Sequence, residues 1–413
     1  MSLPVAVYAD ANGTIYDAPG YGAVGRVGGR DEILSAEALI PLPEGADLMF
    51  LPGRSALVAQ NGKIGPIAAA LTAVAAALPV GYTRTHLPAY TVAGDAPPLP
   101  LYGYTAVAMH KGRFWVAALK TDDNARWHPH RYNTAGLAAK VEAVKRELPG
   151  NRLVAHLARC SLEWHCCTAQ NLFYHRWEAG IPVSAACNAN CLGCISLQPA
   201  ECCPAPQSRI DFVPTVDEVA AVGIYHLTSA PAPIISFGQG CEGEPSLAAD
   251  IIAPAVRLIR AETDRGIINI NTNGGFTAGL KAIVDAGLGS MRVSVISARP
   301  ATHQAYYRAD YSLQEVRESI AYAKSRGVYV SLNMLLLPGL NDRPEELEAW
   351  LAFIAETRVD MVQLRNLNID PERLWPLLPE PEAPAAGVRA FLTELRRSCP
   401  AVRVGNFSRY IGG

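Results

Sequence analysis

The chain has 413 residues, half of them apolar, and a formal net charge of −2. This length and composition predict a globular protein with a large core, divided into two or three domains. Without a run of Lys or Arg, the sequence shows no electrostatic footprint for nucleic acid. Ten cysteines without a recognisable signal peptide favour a cytoplasmic protein that uses its thiols for metal or redox chemistry rather than for disulfides.

Residues 1 to about 130 are predicted to form a β-rich domain, because short apolar runs alternate with Gly, Pro and Asn/Asp clusters. Two stretches depart from this pattern. The alanine-rich run Pro66–Leu78 predicts a buried helix and is too short to cross a bilayer. Gly20–Gly25 matches G-x-G-x-x-G but lacks the preceding strand and following helix of a dinucleotide site, so we expect a glycine-rich loop.

Residues 131–180 are expected to be a helical connector, and the rest of the chain alternates between strand and helix patterns. Strand-like runs begin near residues 181, 233, 267, 291, 328 and 361, with helical runs between them. Six consecutive βα units predict a parallel sheet with right-handed crossovers, short of the eight that close a TIM barrel. Residues 371–413 are expected to add a helix and a tail.

Three closely spaced cysteines stand out in this α/β region. The apolar run Ile181–Ala186 is predicted as a buried strand, and it leads directly into Cys187, Cys191 and Cys194. Thiolates are the usual ligands of iron–sulfur clusters, which generally take four of them. Three thiolates would leave one iron open to a substrate or cofactor. A zinc knot would require a second C-x2-C or a His pair, and nothing so regular follows.

The spacing C-x3-C-x2-C after a strand resembles the radical SAM superfamily, in which a [4Fe–4S] cluster binds S-adenosylmethionine (SAM). The second strand ends in Gly243-Glu244-Pro245, similar to that superfamily's G-G-E-P motif, with Glu242 in place of the first glycine. Thr272 lies in a T-N-G stretch that is also common there. One departure concerns the residue before the third cysteine, usually aromatic in the superfamily and here Gly193, so packing near the adenine is expected to differ.

The resemblance implies a partial (β/α)6 TIM-type barrel over residues 181–370, a radical SAM enzyme, and SAM contacts from Gly243, Glu244, Pro245 and Thr272. It also implies a mechanism: an electron from a donor such as ferredoxin or flavodoxin cleaves SAM at the cluster. The resulting 5′-deoxyadenosyl radical abstracts hydrogen from an unidentified substrate, which is a peptide, a protein or a small metabolite.

Polar residues at the later strand ends are further candidates for binding. Ser294 and Asn333 lie in apolar strands, where a polar group needs a partner. That partner is either a ribose hydroxyl of SAM or another group within the barrel. Arg365 would suit a carboxylate or phosphate of the substrate. Cys241, two residues before Gly243, is a candidate catalytic hydrogen donor, a cluster ligand or a packing residue.

The remaining cysteines near the first strand raise the question of a second cluster, and their spacing fits no iron–sulfur run. We therefore expect one cluster. They are Cys160, Cys166, Cys167, Cys202 and Cys203. Two other functions stay open: an iron–sulfur electron-transfer or scaffold protein without SAM chemistry, and a zinc hydrolase. The Gly-Glu-Pro motif argues against the first, and the absence of a His/Asp/Glu ligand set at the strand ends argues against the second. The N-terminal domain is expected to recognise a substrate or partner.

Overall fold

Short antiparallel strands build the first third of the chain, as the Gly- and Pro-punctuated pattern predicts. The computed structural model describes residues 3–67, 71–123, 125–198, 205 and 207–411. Strands β1–β7 and β9–β12 join in one sheet, and β8 pairs with β13. The strands are β1 Val5–Ala9, β2 Ile15–Val27, β3 Arg30–Ile33, β4 Ile40–Pro41, β5 Asp47–Gln60, β6 Lys63–Pro66, β7 Thr72–Ala77, β8 Tyr82–Arg84, β9 Leu87–Pro88, β10 Tyr90–Val92, β11 Tyr104–His110, β12 Arg113–Val116 and β13 Ala118–Lys120.

The helix predicted over Pro66–Leu78 is wrong where the structure describes this stretch. Thr72–Ala77 forms β7, which pairs with β1, β5 and β11 in the middle of the sheet. Ala75 and Ala76 are completely buried there. Small side chains allow close packing on both faces of a central strand, and this burial overrides the helix propensity of alanine.

The loop predicted over Gly20–Gly25 is also wrong, since these residues lie inside the long strand β2. A Cβ atom on Gly25 would come within 2.8 Å of the Leu34 side chain and 2.9 Å of His86. Glycine at this position therefore serves close packing of the sheet against its neighbours. With a strand on both sides of the motif, the geometry of a dinucleotide loop is absent from residues 15–33.

Helices α1 (Leu137–Glu147), α2 (Arg152–Leu162) and α3 (Cys167–Tyr174) connect the two sheets. The parallel sheet then follows in chain order, with all neighbours parallel. Its strands are β14 Glu178–Gly180, β15 Ile234–Phe237, β16 Ile267–Thr272, β17 Ser290–Val295, β18 Tyr329–Leu336, β19 Met361–Asn366 and β20 Arg403–Gly405. Its helices are α4 Val216–Ser229, α5 Ala249–Glu262, α6 Thr277–Asp285, α7 Pro300–Tyr307, α8 Leu313–Ser325, α9 Pro344–Thr357, α10 Pro371–Leu374 and α11 Val388–Ser398.

This arrangement confirms the predicted α/β class with a partial barrel and an N-terminal β-rich sheet. Five of the six predicted strands are present, the strand predicted over Ile181–Ala186 is wrong, and β14 and the short β20 complete the sheet. The first strand differs from the prediction because it ends at Gly180. Beyond it, the backbone amides of Val183 and Ser184 donate to the Glu242 carboxylate instead of to a neighbouring strand. Ile181 and Val183 nevertheless stay buried.

Buried polar contacts join the N-terminal sheet to the barrel. Arg54 and Asp370 form an ion pair of 3.0 Å in which each side chain is 2% exposed. Arg84 is completely buried and donates to the carbonyls of Leu336 and Leu367, where β18 and β19 end. Strand β5 of the large sheet and β8 of the β8–β13 pair therefore cover part of the carboxyl end of the barrel. None of the described helices has the length and apolarity needed to span a membrane.

Candidate active site

The loop that carries the three cysteines is held by the end of α7. The amide of Asn190 donates to the Tyr307 carbonyl at 2.9 Å, and that of Leu192 donates to the Tyr306 carbonyl at 3.1 Å. The loop therefore lies beyond the carboxyl end of the sheet, where ligands bind in parallel α/β proteins.

The three thiols lie close enough to influence one another electrostatically. Burial first, and then the sulfurs of Cys194 and Cys187, raise the pKa of Cys191. Burial likewise raises the pKa of Cys187. Arg209 supplies a cation, with its guanidinium 3.7 Å from the sulfur of Cys194. Three converging thiols beside a positive charge fit the donor set of an iron–sulfur cluster, whose binding displaces the thiol protons.

Gly243 contacts the backbone immediately before these cysteines. Its amide donates to the Ser184 carbonyl at 2.7 Å, and the amide of Glu244 donates to the Ala186 carbonyl at 2.8 Å. A Cβ atom on Gly243 would lie 2.0 Å from the Ala186 carbonyl oxygen. Only glycine permits this approach. The motif at the end of β15 thus fixes the position of the chain that enters the cysteine loop.

The Glu244 carboxylate is fully engaged inside the protein. It accepts hydrogen bonds from the amide and hydroxyl of Ser246, the hydroxyl of Thr272 and the amide of Asn273, at 2.6–3.0 Å. Burial raises the pKa of Glu244, which these bonds oppose. Two of the predicted SAM-binding residues, Glu244 and Thr272, therefore bind each other and brace neighbouring strand ends. Pro245 is buried at the start of a short 3-10 turn.

Glu242 has a role that the sequence analysis missed. Its carboxylate accepts from the amides of Val183 and Ser184 on one side and from those of Gly238 and Gln239 on the other. Burial raises the pKa of Glu242 to about 7. The residue that replaces the first glycine of the motif thus ties the end of β15 to the approach to the cysteine loop. The sequence does carry a signal for this role, because Glu242 places a carboxylate where the motif has its first glycine.

The inside of the barrel holds a charged network. Arg292 donates to Glu178 at 2.8 Å, to Asn271 at 2.6 Å and to Gln363 at 3.3 Å. Arg365 extends the network, with a 3.4 Å contact to Gln363. Arg365 was predicted from the sequence, whereas the pairing of Glu178 with Arg292 was missed, because these two residues lie on strands 114 residues apart. The sequence signal for this network was the presence of polar residues at alternate positions of apolar strands.

Ser294 and Asn333 lie side by side on adjacent strands. The Asn333 amide nitrogen donates to the Ser294 hydroxyl at 3.1 Å. The Asn333 carbonyl oxygen is buried and has no hydrogen-bond partner among the described residues. The pair therefore satisfies part of its own hydrogen bonding and leaves one acceptor for a donor such as a ribose hydroxyl.

Arg365 faces a cavity of about 370 Å³ that also reaches Gly193 in the cysteine loop. This volume lies in the range of small-molecule sites. Tyr82 of β8 and Tyr306 of α7 line it as well. Burial first, and then the charge of Arg292, lower the pKa of Arg365 to about 10. Within the described part of the chain, no carboxylate forms an ion pair with Arg365, whereas Arg292 is paired with Glu178.

Gly193 leaves no space for the aromatic side chain expected before the third cysteine. A Cβ atom there would lie 2.8 Å from the Asn368 carbonyl oxygen and 2.9 Å from the Tyr306 hydroxyl. Tyr306 reaches this place from α7 and is 3% exposed. An aromatic ring therefore lies next to the loop, supplied by a different element.

Cys241 is placed away from the cavity lined by Arg365. It is 4% exposed and packs with Cys160 in the core. Cys160 and Cys166 are joined through a backbone hydrogen bond of 3.0 Å. The predicted relation of these residues to Cys202 and Cys203 lies outside the described residues.

These features define a barrel protein with a thiol-rich ligand site beyond its strand ends. The sequence model of the Radical SAM superfamily matches residues 181–353. The chain therefore carries a domain of the radical SAM superfamily over these residues. Radical SAM domains hold a [4Fe–4S] cluster and SAM, as the donor set described above would allow.

Individual proteins resemble only part of the chain. The GTP 3′,8-cyclase of Streptomyces coelicolor is 26% identical over 197 residues, covering 47% of this chain and 54% of that protein. The Aquifex aeolicus GTP 3′,8-cyclase is 37% identical over 101 residues, 24% of this chain and 31% of that protein. The chain thus spans between a third and about half of these relatives. Streptococcus suis SuiB bound to S-adenosylmethionine aligns with a TM-score of 0.40 and 12% identity, over 66% of this chain and 60% of that chain.

Proposed function

We propose that this protein cleaves SAM reductively and uses the radical produced to abstract hydrogen from a substrate held in the barrel. Cys187, Cys191 and Cys194 would hold the [4Fe–4S] cluster, and the backbone around Gly243 would hold SAM beside it. When bound, the cluster and SAM supply the one-electron chemistry, for which a reductant such as ferredoxin or flavodoxin is required. The protein supplies orientation and shields the reaction from solvent.

The observation that carries this proposal is the docking of Gly243 and Glu244 on residues 184–186. Two backbone hydrogen bonds hold Gly243 and Glu244 against the chain that enters the cysteine loop. A Cβ atom at Gly243 would have no space there. A scaffold or electron-transfer protein would need the thiols alone. The close apposition of a ligand loop and a glycine-containing strand end is what a cofactor shared between them would require.

The test compares the triple variant Cys187/Cys191/Cys194→Ala with Cys399→Ala, which removes a cysteine after the last helix. After anaerobic reconstitution, we expect about four irons per chain in the wild type and in Cys399→Ala. Both should convert SAM to 5′-deoxyadenosine and methionine under a strong reductant. The triple variant should lose the iron and this activity. A wild-type protein with iron but without SAM cleavage would favour the scaffold alternative.

We further propose that the substrate carries an anionic group bound by Arg365. This guanidinium is half-buried at a cavity next to the cysteine loop and has no carboxylate ion-pair partner among the described residues. Glu178 and Asp122 lie within electrostatic range of Arg365 but form no ion pair with it, so its charge is only partly balanced. An arriving carboxylate or phosphate would form the missing ion pair. GTP is the nucleotide in the name of the partly matching cyclases, and its triphosphate is an anionic group of this kind.

Phosphate provides a probe for this second proposal. At matched ionic strength, inorganic phosphate should raise the thermal unfolding midpoint of the wild type above that in chloride, because a ligand of the folded state stabilises it. Arg365→Met should abolish this difference. Arg146→Met, at an exposed position on α1, should retain it. Equal protection of the wild type and Arg365→Met would contradict the assignment.

A further inference from the structure

A second group of metal-binding side chains lies apart from the cysteine loop. His156 and Cys160 occupy adjacent turns of α2 (Arg152–Leu162), four residues apart and on one face. Cys241 approaches them from the loop after β15. One ligand atom from each of the three residues lies within 4.8 Å of the others. Cys160 is 1% exposed and Cys241 is 4% exposed.

Cys166 lies near this group, although its sulfur is not among the ligand atoms that lie within 4.8 Å of one another. Its amide donates to the Cys160 carbonyl at 3.0 Å, which turns the chain back after α2. Its sulfur lies within electrostatic range of Cys241. One imidazole and two thiols from two distant parts of the sequence therefore meet, with the half-buried thiol of Cys166 nearby.

The spacing favours a single ion over a cluster. Zinc binds sulfur at about 2.3 Å and imidazole nitrogen at about 2.0–2.1 Å in a tetrahedron, so its ligand atoms lie close together. The ligands of an iron–sulfur cluster are separated by the cluster's own atoms. The Nε2 atom of His156 is also buried without a hydrogen-bond partner in the described part of the chain. A buried polar nitrogen of this kind is costly unless something binds the ring.

We propose that His156, Cys160, Cys166 and Cys241 form a structural zinc site. All four ligands come from the protein, which is typical of structural rather than catalytic zinc. On binding, the thiols release their protons to solvent, and the ion joins α2 to the loop that continues into Glu242 and Gly243. The ion would thus hold the helical connector against the strand end that contacts the cysteine loop.

Metal analysis of the full chain tests this site. Protein purified anaerobically from zinc-supplemented medium, before any iron is added, should contain about one zinc per chain. Cys160→Ser and Cys241→Ser should each lower the zinc content at least about fivefold, since loss of one of four ligands opens the site. Cys399→Ser should match the wild type. Wild-type protein with negligible zinc, or variants that retain it fully, would overturn the proposal.

A second measurement uses only proteins in which the four proposed zinc ligands are intact. Cobalt(II) added to the metal-free wild type should give the visible absorption of tetrahedral thiolate coordination, and zinc should displace it. The triple variant Cys187/Cys191/Cys194→Ala should give the same spectrum, because its second site is intact. A cobalt spectrum without thiolate character, or a Cys160–Cys241 disulfide found by mass spectrometry in the anaerobic protein, contradicts the assignment.

Discussion

Single side chains near the site act mainly by satisfying buried hydrogen bonds, and Glu244 is the clearest example. Its carboxylate accepts four bonds from donors. In Glu244→Gln, an amide NH2 group replaces one acceptor and faces those donors. We expect the free energy of unfolding of the cofactor-free protein to fall by about 1–3 kcal/mol. Urea denaturation checks this, with the exposed Glu348→Gln as the control.

The alternative role of Glu244 gives a different result in the same experiment. If the carboxylate binds SAM directly, Glu244→Gln will keep its stability and lose SAM affinity, which calorimetry measures. Loss of both stability and affinity would show that the carboxylate acts by holding the strand ends in place.

The two arginines inside the barrel should respond differently to removal of charge. Arg292→Met leaves the buried Glu178 without its ion-pair partner and should cost about 3–5 kcal/mol of the free energy of unfolding. Arg365→Met removes a half-buried cation that has no carboxylate ion-pair partner among the described residues, so stability should stay the same or rise. Chemical denaturation of the two variants distinguishes them. A large loss in Arg365→Met would mean that Arg365 is structural.

At the scale of elements, the sequence predicts the βα repeat well because each strand and helix has its own local pattern. The capping box at Thr215 and Glu218 is present at the start of α4, as its residues indicate. Elements decided by tertiary packing were predicted poorly. The β7 alanines are good helix formers that are held in a sheet by burial on both faces, and β20 has only three residues. Contacts such as Glu178–Arg292 depend on strand register, which no local pattern specifies.

Helix α4 contains a histidine that makes stability depend on pH. Burial first, and the nearby His175, lower the pKa of His226 to about 4. The folded state therefore binds a proton less readily than the unfolded state, and stability is lost as pH falls from about 6.5 towards 4. Relative to His226→Gln, the wild type should lose on the order of 2 kcal/mol between pH 7.5 and 5. Urea denaturation of both proteins across this range measures the difference; parallel pH profiles would contradict it.

At the scale of the whole molecule, the two sheets depend on each other through buried charge. Asp370→Ala in the full chain leaves Arg54 buried without its partner and should cost about 3–5 kcal/mol of unfolding free energy. Glu348→Ala, at an exposed position, provides the control. Thermal or chemical denaturation measures both.

Removal of the N-terminal sheet extends the same argument. A fragment of residues 131–413 loses Arg54 and Arg84, which leaves Asp370 and the carbonyls of Leu336 and Leu367 without these partners. We expect it to lack cooperative unfolding by circular dichroism. A folded fragment that binds SAM would instead favour a separate recognition domain. Because Tyr82 also lines the cavity beside Arg365, substrate recognition and structural support are compatible roles for the sheet.

The contact between Gly193 and Tyr306 has a consequence for how this family diversifies. A Cβ atom on Gly193 would meet both the Asn368 carbonyl oxygen and the Tyr306 hydroxyl, so Gly193→Phe alone should prevent cluster assembly. Because Tyr306→Ala removes only the contact with the hydroxyl, Gly193→Phe combined with Tyr306→Ala should restore part of the assembly. Iron content after reconstitution measures the coupling of the two substitutions. Related sequences should then show a bulky residue at one of these positions and a small residue at the other. Evolution between the two arrangements must cross an unfavourable intermediate or change both codons together.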